Sequence, residues 1–405
     1  MTTSHLPRPS RPSRRAVLGT TAGALLATAA IPDARAATPV SRGPRPAGVP
    51  PLDTAALQAA IDDLEHPPTT AAQLHIAGSA GHWYGSSGVA DLDSGRPVRA
   101  GDQVRIGSIT KMFVATVVLQ LVAEDRVRLD TPVQRVLPRL LPAGFAPITV
   151  TQLLNHTSGL PHGRGWPEVT TPEQVFEHRF DRWTPERIVD TVRYATELAY
   201  EPGTRQEYLG INYVLLALLI ERLTGRPYGE EIAARILRPL RLHDTSVPGH
   251  RRTLRGPQVR GYLRMSDGRL RDITEIDPSD AWGEGEMISS TPDLLRFQRA
   301  LCSGRLLPGR LLREMFRMPP PEVTMVDGSP ARYSSGLQTI TINGVRFWGK
   351  SGEQYGYCSV LLFTERQELR AVLSFTPQRR DRTQEQMQLR VANALTGGAD
   401  AGSAR

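Results

Sequence analysis

Lysine is nearly absent from this 405-residue chain: of 49 basic residues only Lys111 and Lys350 are lysines, and the other 47 are arginines. Where a fixed positive charge is enough, arginine serves and keeps its proton. A retained lysine therefore suggests a place that needs an amine, either desolvated to act as a base or as a compact charge in a tight pocket. Cysteine is equally scarce. Cys302 and Cys358 are too few for a disulfide scaffold and stand outside any metal-like spacing, although a single bridge between them stays open for an exported protein. No His-Glu-x-x-His, Gly-x-Ser-x-Gly or Walker sequence occurs, so zinc-peptidase, α/β-hydrolase and phosphate-loop chemistry lose their sequence signals, and no metal or cofactor is expected. Long apolar runs are missing too, so the mature form is expected to have no stable membrane span.

Residues 1–36 read as an export signal. Arg14-Arg15 precedes a moderately apolar stretch from Gly19 to Ile31, and Ala34-Arg35-Ala36 supplies a small-x-small cleavage pattern. The paired arginines suggest a twin-arginine address and a secreted, extracellular protein. This leader carries half of the chain's net charge of +8. The remainder gives little reason to invoke nucleic acid as a partner, and no basic run with interleaved aromatics occurs.

Residues 37–51 form a Pro-rich linker and residues 396–405 a small-residue tail, expected to be disordered. Between them, residues 52–395 are long enough for one large domain. A helix is predicted over Leu52 to Leu64, followed by strands near Leu74 to Ile76 and Trp83 to Leu92. Helical patterns then run through Met112 to Val122, Val150 to Leu154, Pro185 to Tyr194, Asn212 to Leu223, Tyr228 to Leu240 and Pro292 to Leu301, the last with Thr291 as its expected N-cap. Strand signals return at Gln338 to Ile342, Arg346 to Trp348, Cys358 to Phe363 and Leu369 to Phe375, and a helix closes the chain over Gln384 to Leu395. Strands at both ends with helices between them predict an α+β fold: one sheet assembled from the N- and C-terminal segments, flanked by helices, with a helical insertion over about residues 111–325.

Both lysines sit in suggestive surroundings. In Ser108-Ile109-Thr110-Lys111 the hydroxyl and amine share one helical face, where a buried amine of lowered pKa could activate the hydroxyl as a nucleophile. A lone Ser-x-x-Lys is weak, and a capping serine followed by a solvated lysine fits it equally. Lys350-Ser351-Gly352 follows a strand, where the glycine would let backbone approach a ligand while Lys and Ser offer donors; an exposed turn is the plain alternative.

Both lysines of the chain in these two patterns, in this order, resemble the penicillin-recognising serine hydrolases: the group of class C β-lactamases, D-alanyl-D-alanine carboxypeptidases and related esterases. Further stretches are similar to that family's signatures, among them Asp91 to Pro97, Ile148 to Leu160, Pro202-Gly203-Thr204 and Ile288 to Leu294. The resemblance covers about residues 52 to 395 and looks closest to exported actinobacterial-type carboxypeptidases. It implies a β-lactamase/transpeptidase-like fold with Ser108 as the acylated nucleophile, Lys111 as its partner, Tyr208 as general acid/base and Lys350 as electrostatic support. It also implies backbone amides of Ser108 and Glu353 as an oxyanion hole, and Ser351, Gly352 and Glu353 as substrate-binding positions. His156 is read as structural.

Three positions depart from the family's pattern. Gly210 stands where Tyr-x-Asn would place the asparagine that bonds the substrate's acyl-side amide. Glu353 replaces a threonine that helps bind a terminal carboxylate, and like charges there would repel. Gln338, after Gly336-Leu337, takes the place expected for an arginine. The resemblance still implies a D-alanyl-D-alanine carboxypeptidase-like enzyme on cell-wall peptides first, then an esterase, amidase or β-lactamase-like hydrolase, and last a non-catalytic cell-wall sensor. Its substrate partner is thus a small peptide, ester or β-lactam.

Overall fold

The computed structural model describes residues 48–398, so the expected signal, most of the linker and nearly all of the tail lie outside the described residues. Within them the N-terminal helix α1 (Thr54–Asp62) leads into strands β1 (Thr69–Ala77), β2 (Trp83–Asp91) and β3 (Arg96–Pro97). The C-terminal part supplies β4 (Gln338–Ile342), β5 (Val345–Gln354), β6 (Tyr357–Phe363) and β7 (Arg370–Pro377). Together they make one seven-stranded antiparallel sheet in the order β4-β5-β6-β7-β1-β2-β3, joined where β1 pairs with β7. The expectation of a sheet closed by the two chain ends is met. Between them the chain builds the expected helical region, including α2 (Thr110–Ala123), α3 (Ile211–Thr224) and α4 (Thr291–Cys302), before α5 (Gln384–Thr396) returns to the sheet.

Strand side chains alternate between two cores, as a two-residue repeat requires. Ala72, Leu74 and Ile76 of β1, Val360 and Leu362 of β6, and Leu373 and Phe375 of β7 face Leu57 and Ile61 of α1 and Met387 and Val391 of α5. Leu361, Phe363 and Val372 belong instead to the larger core shared with the helical region. Helix α2 lies at the centre of that second core. Twelve of its fourteen residues are buried, so it has no solvent face, and Lys111 goes into a dry interior with the apolar residues around it. Phe113 of α2 stacks on Phe297 of α4, ring centroids 3.8 Å apart.

Several boundaries differ from the sequence reading. The strand expected to end at Trp348 continues to Gln354 and carries Lys350, Ser351, Gly352 and Glu353 with it, because β6 pairs with it all the way, from Trp348↔Phe363 to Gln354↔Tyr357. Thr291 is not the cap of α4: it is the first helical residue, Ser290 is the N-cap, and the Thr291 hydroxyl donates to the Ala100 carbonyl. The expected helix after Pro185 stops at Asp190. Tyr228 to Leu240 is helical throughout but passes through a π-helical turn at Ala233–Leu237. Thr396, assigned to the tail, is the last residue of α5. Cys302 and Cys358 are both free thiols, so the open question of a bridge is answered in the negative. Among the described residues no helix is long and apolar enough to cross a membrane.

Truncating Phe113 to alanine would remove a buried ring from the joint between α2 and α4. The Phe113→Ala variant is expected to lose about 3–5 kcal/mol of stability in denaturant unfolding. A loss below about 1 kcal/mol would mean that this joint does not anchor α2.

Candidate active site

Ser108 lies in a 3-10 turn, Gly107–Ile109, that feeds straight into α2. The turn is fixed from two sides. Ile106 donates its amide to the Met287 carbonyl, and Thr110 uses its hydroxyl to donate to Gly107 O and accept from the Met287 amide. On the other side it abuts β5 with no room for side chains. A Cβ on Gly352 would fall 2.0 Å from Ile106 O and 2.6 Å from Ser108 N, and one on Gly107 (φ +49°) would fall 2.4 Å from Glu353 N. Both residues are glycine because the backbones touch, and the contact brings the backbone at Ser108, whose amide is expected in the oxyanion hole, close to that at Glu353.

The sequence-derived constellation assembles around this contact. Lys111 is 1% exposed and donates to Ser108 Oγ at 3.1 Å, to Glu284 O at 2.9 Å and to Glu284 Oε2 at 2.6 Å. Lys350, also buried, donates to Ser351 O at 2.9 Å and lies 3.5 Å from Gln338 Oε1. Both amines lie near the Tyr208 ring, whose centroid is 5.0 Å from Lys111 Nζ and 4.6 Å from Lys350 Nζ. Tyr208 Oη and Ser351 Oγ are buried without an aligned hydrogen-bond partner among the described residues. Ser108, Lys111, Tyr208, Lys350, Ser351, Gly352 and Glu353 are thus brought together as expected.

Burial decides the protonation states. It lowers the Lys111 pKa against the opposing pull of Glu284, and it drives Lys350 well below the usual lysine value, helped by the neighbouring Lys111. It holds the Tyr208 phenol well above its ordinary range, with the Glu284 charge adding to the effect, so Tyr208 remains a neutral phenol near pH 7. A lysine of lowered pKa within reach of a serine hydroxyl, beside a phenol that can pass a proton on, is equipped for nucleophilic acyl transfer.

His156 is structural, as read from the sequence. It takes up φ +61° in its loop, stacks on Tyr208 with centroids 4.5 Å apart, and its Nδ1 accepts from Leu209 N at 3.3 Å and Asn212 Nδ2 at 3.1 Å. The Asn212 carbonyl in turn accepts from Ser158 Oγ at 2.7 Å. Burial, with Lys111 and Lys350 nearby, pushes the His156 pKa well below 6.5, so the folded ring stays neutral.

Two residues escaped the sequence reading. Glu284 reaches into the cleft with 26% of its side chain exposed and pairs with Lys111. Its carboxylate fills the space left by Gly210: a Cβ there would lie 2.3 Å from Glu284 Oε1. Behind it Glu286 accepts hydrogen bonds from Tyr228 Oη and Gly283 N, fixing the turn that presents Glu284, and burial raises its carboxyl to about 7. The signal was there in Gly283-Glu284-Gly285-Glu286, two acids between glycines just before the Ile288-Ser289-Ser290 stretch. Glu353, read as facing a substrate carboxylate, is only 15% exposed and lies 3.8 Å from Arg380, which takes up part of its charge and weakens the expected repulsion. Gln354 and Tyr355, at and just past the end of β5, line an open pocket with Trp166, Trp183, Arg179 and Asp280, so its walls mix apolar and charged side chains.

The neutral state of His156 fixes a pH dependence. Its folded pKa lies below its unfolded value of about 6.5, so the unfolded chain binds more protons there and stability falls as pH drops below 6.5. The His156→Asn variant removes this contribution. Between pH 7 and 5 the thermal-stability gap between parent and variant is expected to narrow; a gap that is constant or widens would contradict a buried neutral histidine.

Residues 58–395 match the family model named Beta-lactamase. Among solved structures, a D-stereospecific amidohydrolase from Streptomyces sp. is 34% identical with a TM-score of 0.74, covering 86% of this chain and 100% of that one. The D-amino acid amidase from Ochrobactrum anthropi SV3 is 28% identical with a TM-score of 0.71, over 85% and 98%. Esterase EstB from Burkholderia gladioli is 32% identical over 171 residues, 39% of this chain and 42% of the esterase, so the chain spans well under two thirds of that relative's length. A family model that extends over nearly all of the described chain, and a 34% identical structure aligned along the same span, place this protein in the Beta-lactamase family of serine hydrolases.

Proposed function

We propose that the protein is an exported serine amidohydrolase in which Ser108 forms an acyl-enzyme with small amides or esters of D-amino acids. In acylation, Ser108 Oγ attacks the substrate carbonyl and loses its proton to neutral Lys111. The tetrahedral oxyanion rests on the amides of Ser108 and Glu353. The carbonyl–nitrogen bond then breaks as the proton passes through Tyr208 to the leaving amine. Water repeats the sequence on the ester and frees Ser108. Lys350, 4.6 Å from the ring centroid, supports the phenol electrostatically.

The observation that carries this reading over carboxypeptidase action is the state of the cations beside Ser351 and Glu353. Lys350 is buried with its pKa pushed well down, Gln338 stands beside it in place of an arginine, and Arg380 is engaged by Glu353. The names of the amidohydrolase and amidase relatives support the same side, and Trp166 and Trp183 in the pocket beyond β5 give an apolar side chain a surface to pack on. D-alanyl-D-alanine carboxypeptidase action on cell-wall peptides is the second reading, favoured by the unpartnered Ser351 hydroxyl next to Lys350. Export by the twin-arginine route rests on the leader sequence alone.

Ammonia release from D-alaninamide and D-phenylalaninamide, measured against D-alanine release from a diacylated peptide ending in D-Ala-D-Ala, decides between the two. Turnover of the amides with little or none of the peptide is expected; peptide turnover without amide turnover would overturn the proposal. Lys111→Arg is expected to lower kcat by roughly 10²–10⁴-fold, since arginine cannot deprotonate. Near-normal kcat in that variant would rule out Lys111 as the base.

A further inference from the structure

Lys111 Nζ lies within hydrogen-bond distance of Ser108 Oγ, Glu284 O and Glu284 Oε2. The Glu284 carboxylate is therefore only two hydrogen bonds from the nucleophile. Its Oε2 is committed to Lys111, while its Oε1 makes no hydrogen bond to any described residue, and the side chain is partly open to the cleft. The carboxylate lies flat against the Cα of Gly210, a residue in ordinary helical geometry at φ −61° that any amino acid could adopt. Position 210 is glycine for space, and the space is taken by Glu284.

A carboxylate and an amide side chain in this place ask opposite things of a substrate. An amide can donate to a carbonyl oxygen on the acyl group; an ionised carboxylate only accepts, and repels such an oxygen. We propose that Glu284 is a specificity-determining residue that receives a free α-ammonium on the acyl portion of the substrate, in place of an N-acylated amine. The ammonium is attached to the carbon next to the carbonyl that Ser108 attacks, which matches a carboxylate placed just beyond Lys111. Charge-assisted pairing rewards the amine, and an N-acyl group both removes that charge and sets its oxygen against Glu284. Asp280, next to the turn and electrostatically coupled to Glu284, is a second carboxyl close to this position. The inference rests on Ser108 acting as the acylated nucleophile; it does not require that amides be preferred to esters.

The test uses esters, so that failure of the amidase reading leaves it intact. Benzyl-alcohol release is measured from D-alanine benzyl ester and from N-acetyl-D-alanine benzyl ester, with the parent enzyme and with Glu284→Gln. The parent is expected to favour the free amine in kcat/KM, and Glu284→Gln to reduce that preference by roughly 10- to 100-fold. A parent that favours the N-acetyl ester, or a Glu284→Gln variant that slows both esters equally, would overturn the proposal, because a residue that only positions Lys111 affects both alike. The Gly210→Asn/Glu284→Ala double variant is the second arm: it restores an amide to the vacated space and is expected to shift preference toward the N-acetyl ester, and an unchanged preference counts against the proposal. Where an enzyme form turns over neither ester, protection of Ser108 from fluorophosphonate labelling by D-alaninol against N-acetyl-D-alaninol gives the same ratio, with equal protection of the parent by the two overturning it.

Discussion

The 3.1 Å hydrogen bond from Lys111 to Ser108, made inside a helix with no solvent face, is the constraint on which the rest of the structure turns. An amine in that place is costly as an ammonium unless a counter-charge meets it, and useless as a base if the counter-charge is too strong. The site works between these limits. Burial pulls the Lys111 pKa down while Glu284 pulls it up, burial and the Lys111 charge push Lys350 down, and the nearby phenol of Tyr208 stays protonated because burial and the Glu284 carboxylate disfavour its anion. The protons of these groups belong to the cluster more than to any one residue.

The architecture holds this cluster by backbone contact. Strand β4 pairs with β5 only as far as Gly349, while β6 continues along its other side to Gln354, so from Lys350 onward one edge of β5 has no strand beside it. The turn bearing Ser108 packs on the face of β5 through Gly107 and Gly352, and the free edge beside the nucleophile can receive an extended substrate by main-chain pairing. The helical region adds Tyr208 from the segment before α3, and Glu284 from the turn before the Ile288–Ser289 strand. Every reacting group therefore stands on an element anchored in one of the two cores.

Much of this was legible in the sequence, for physical reasons that can be named. Two lysines against 47 arginines mark Lys111 and Lys350, because a desolvated amine can trade a proton at neutral pH and a guanidinium cannot. Strands at both ends with helical periodicity between them gave the sheet and the insertion. What stayed hidden depended on long-range contact. The extension of β5 through Lys350 to Gln354 is stabilised by pairing with β6, and no local pattern in Lys-Ser-Gly-Glu announces a strand. Gly210 could be seen as a missing side chain, but the residue that fills its space lies far along the chain at Glu284. Glu353 was assigned to a carboxylate subsite without its partner Arg380, which only the fold brings near.

The most direct measurement of the central claim is covalent. The purified protein is treated with a fluorophosphonate and, separately, rapidly quenched during turnover of a D-alanine ester, and the modified residue is located by peptide mass spectrometry. A single adduct on Ser108 from both reagents, lost when Lys111 is replaced by alanine in a protein that still folds, is the expected result. An adduct on another residue, or labelling of Ser108 that is indifferent to Lys111, would contradict a serine nucleophile driven by a buried lysine.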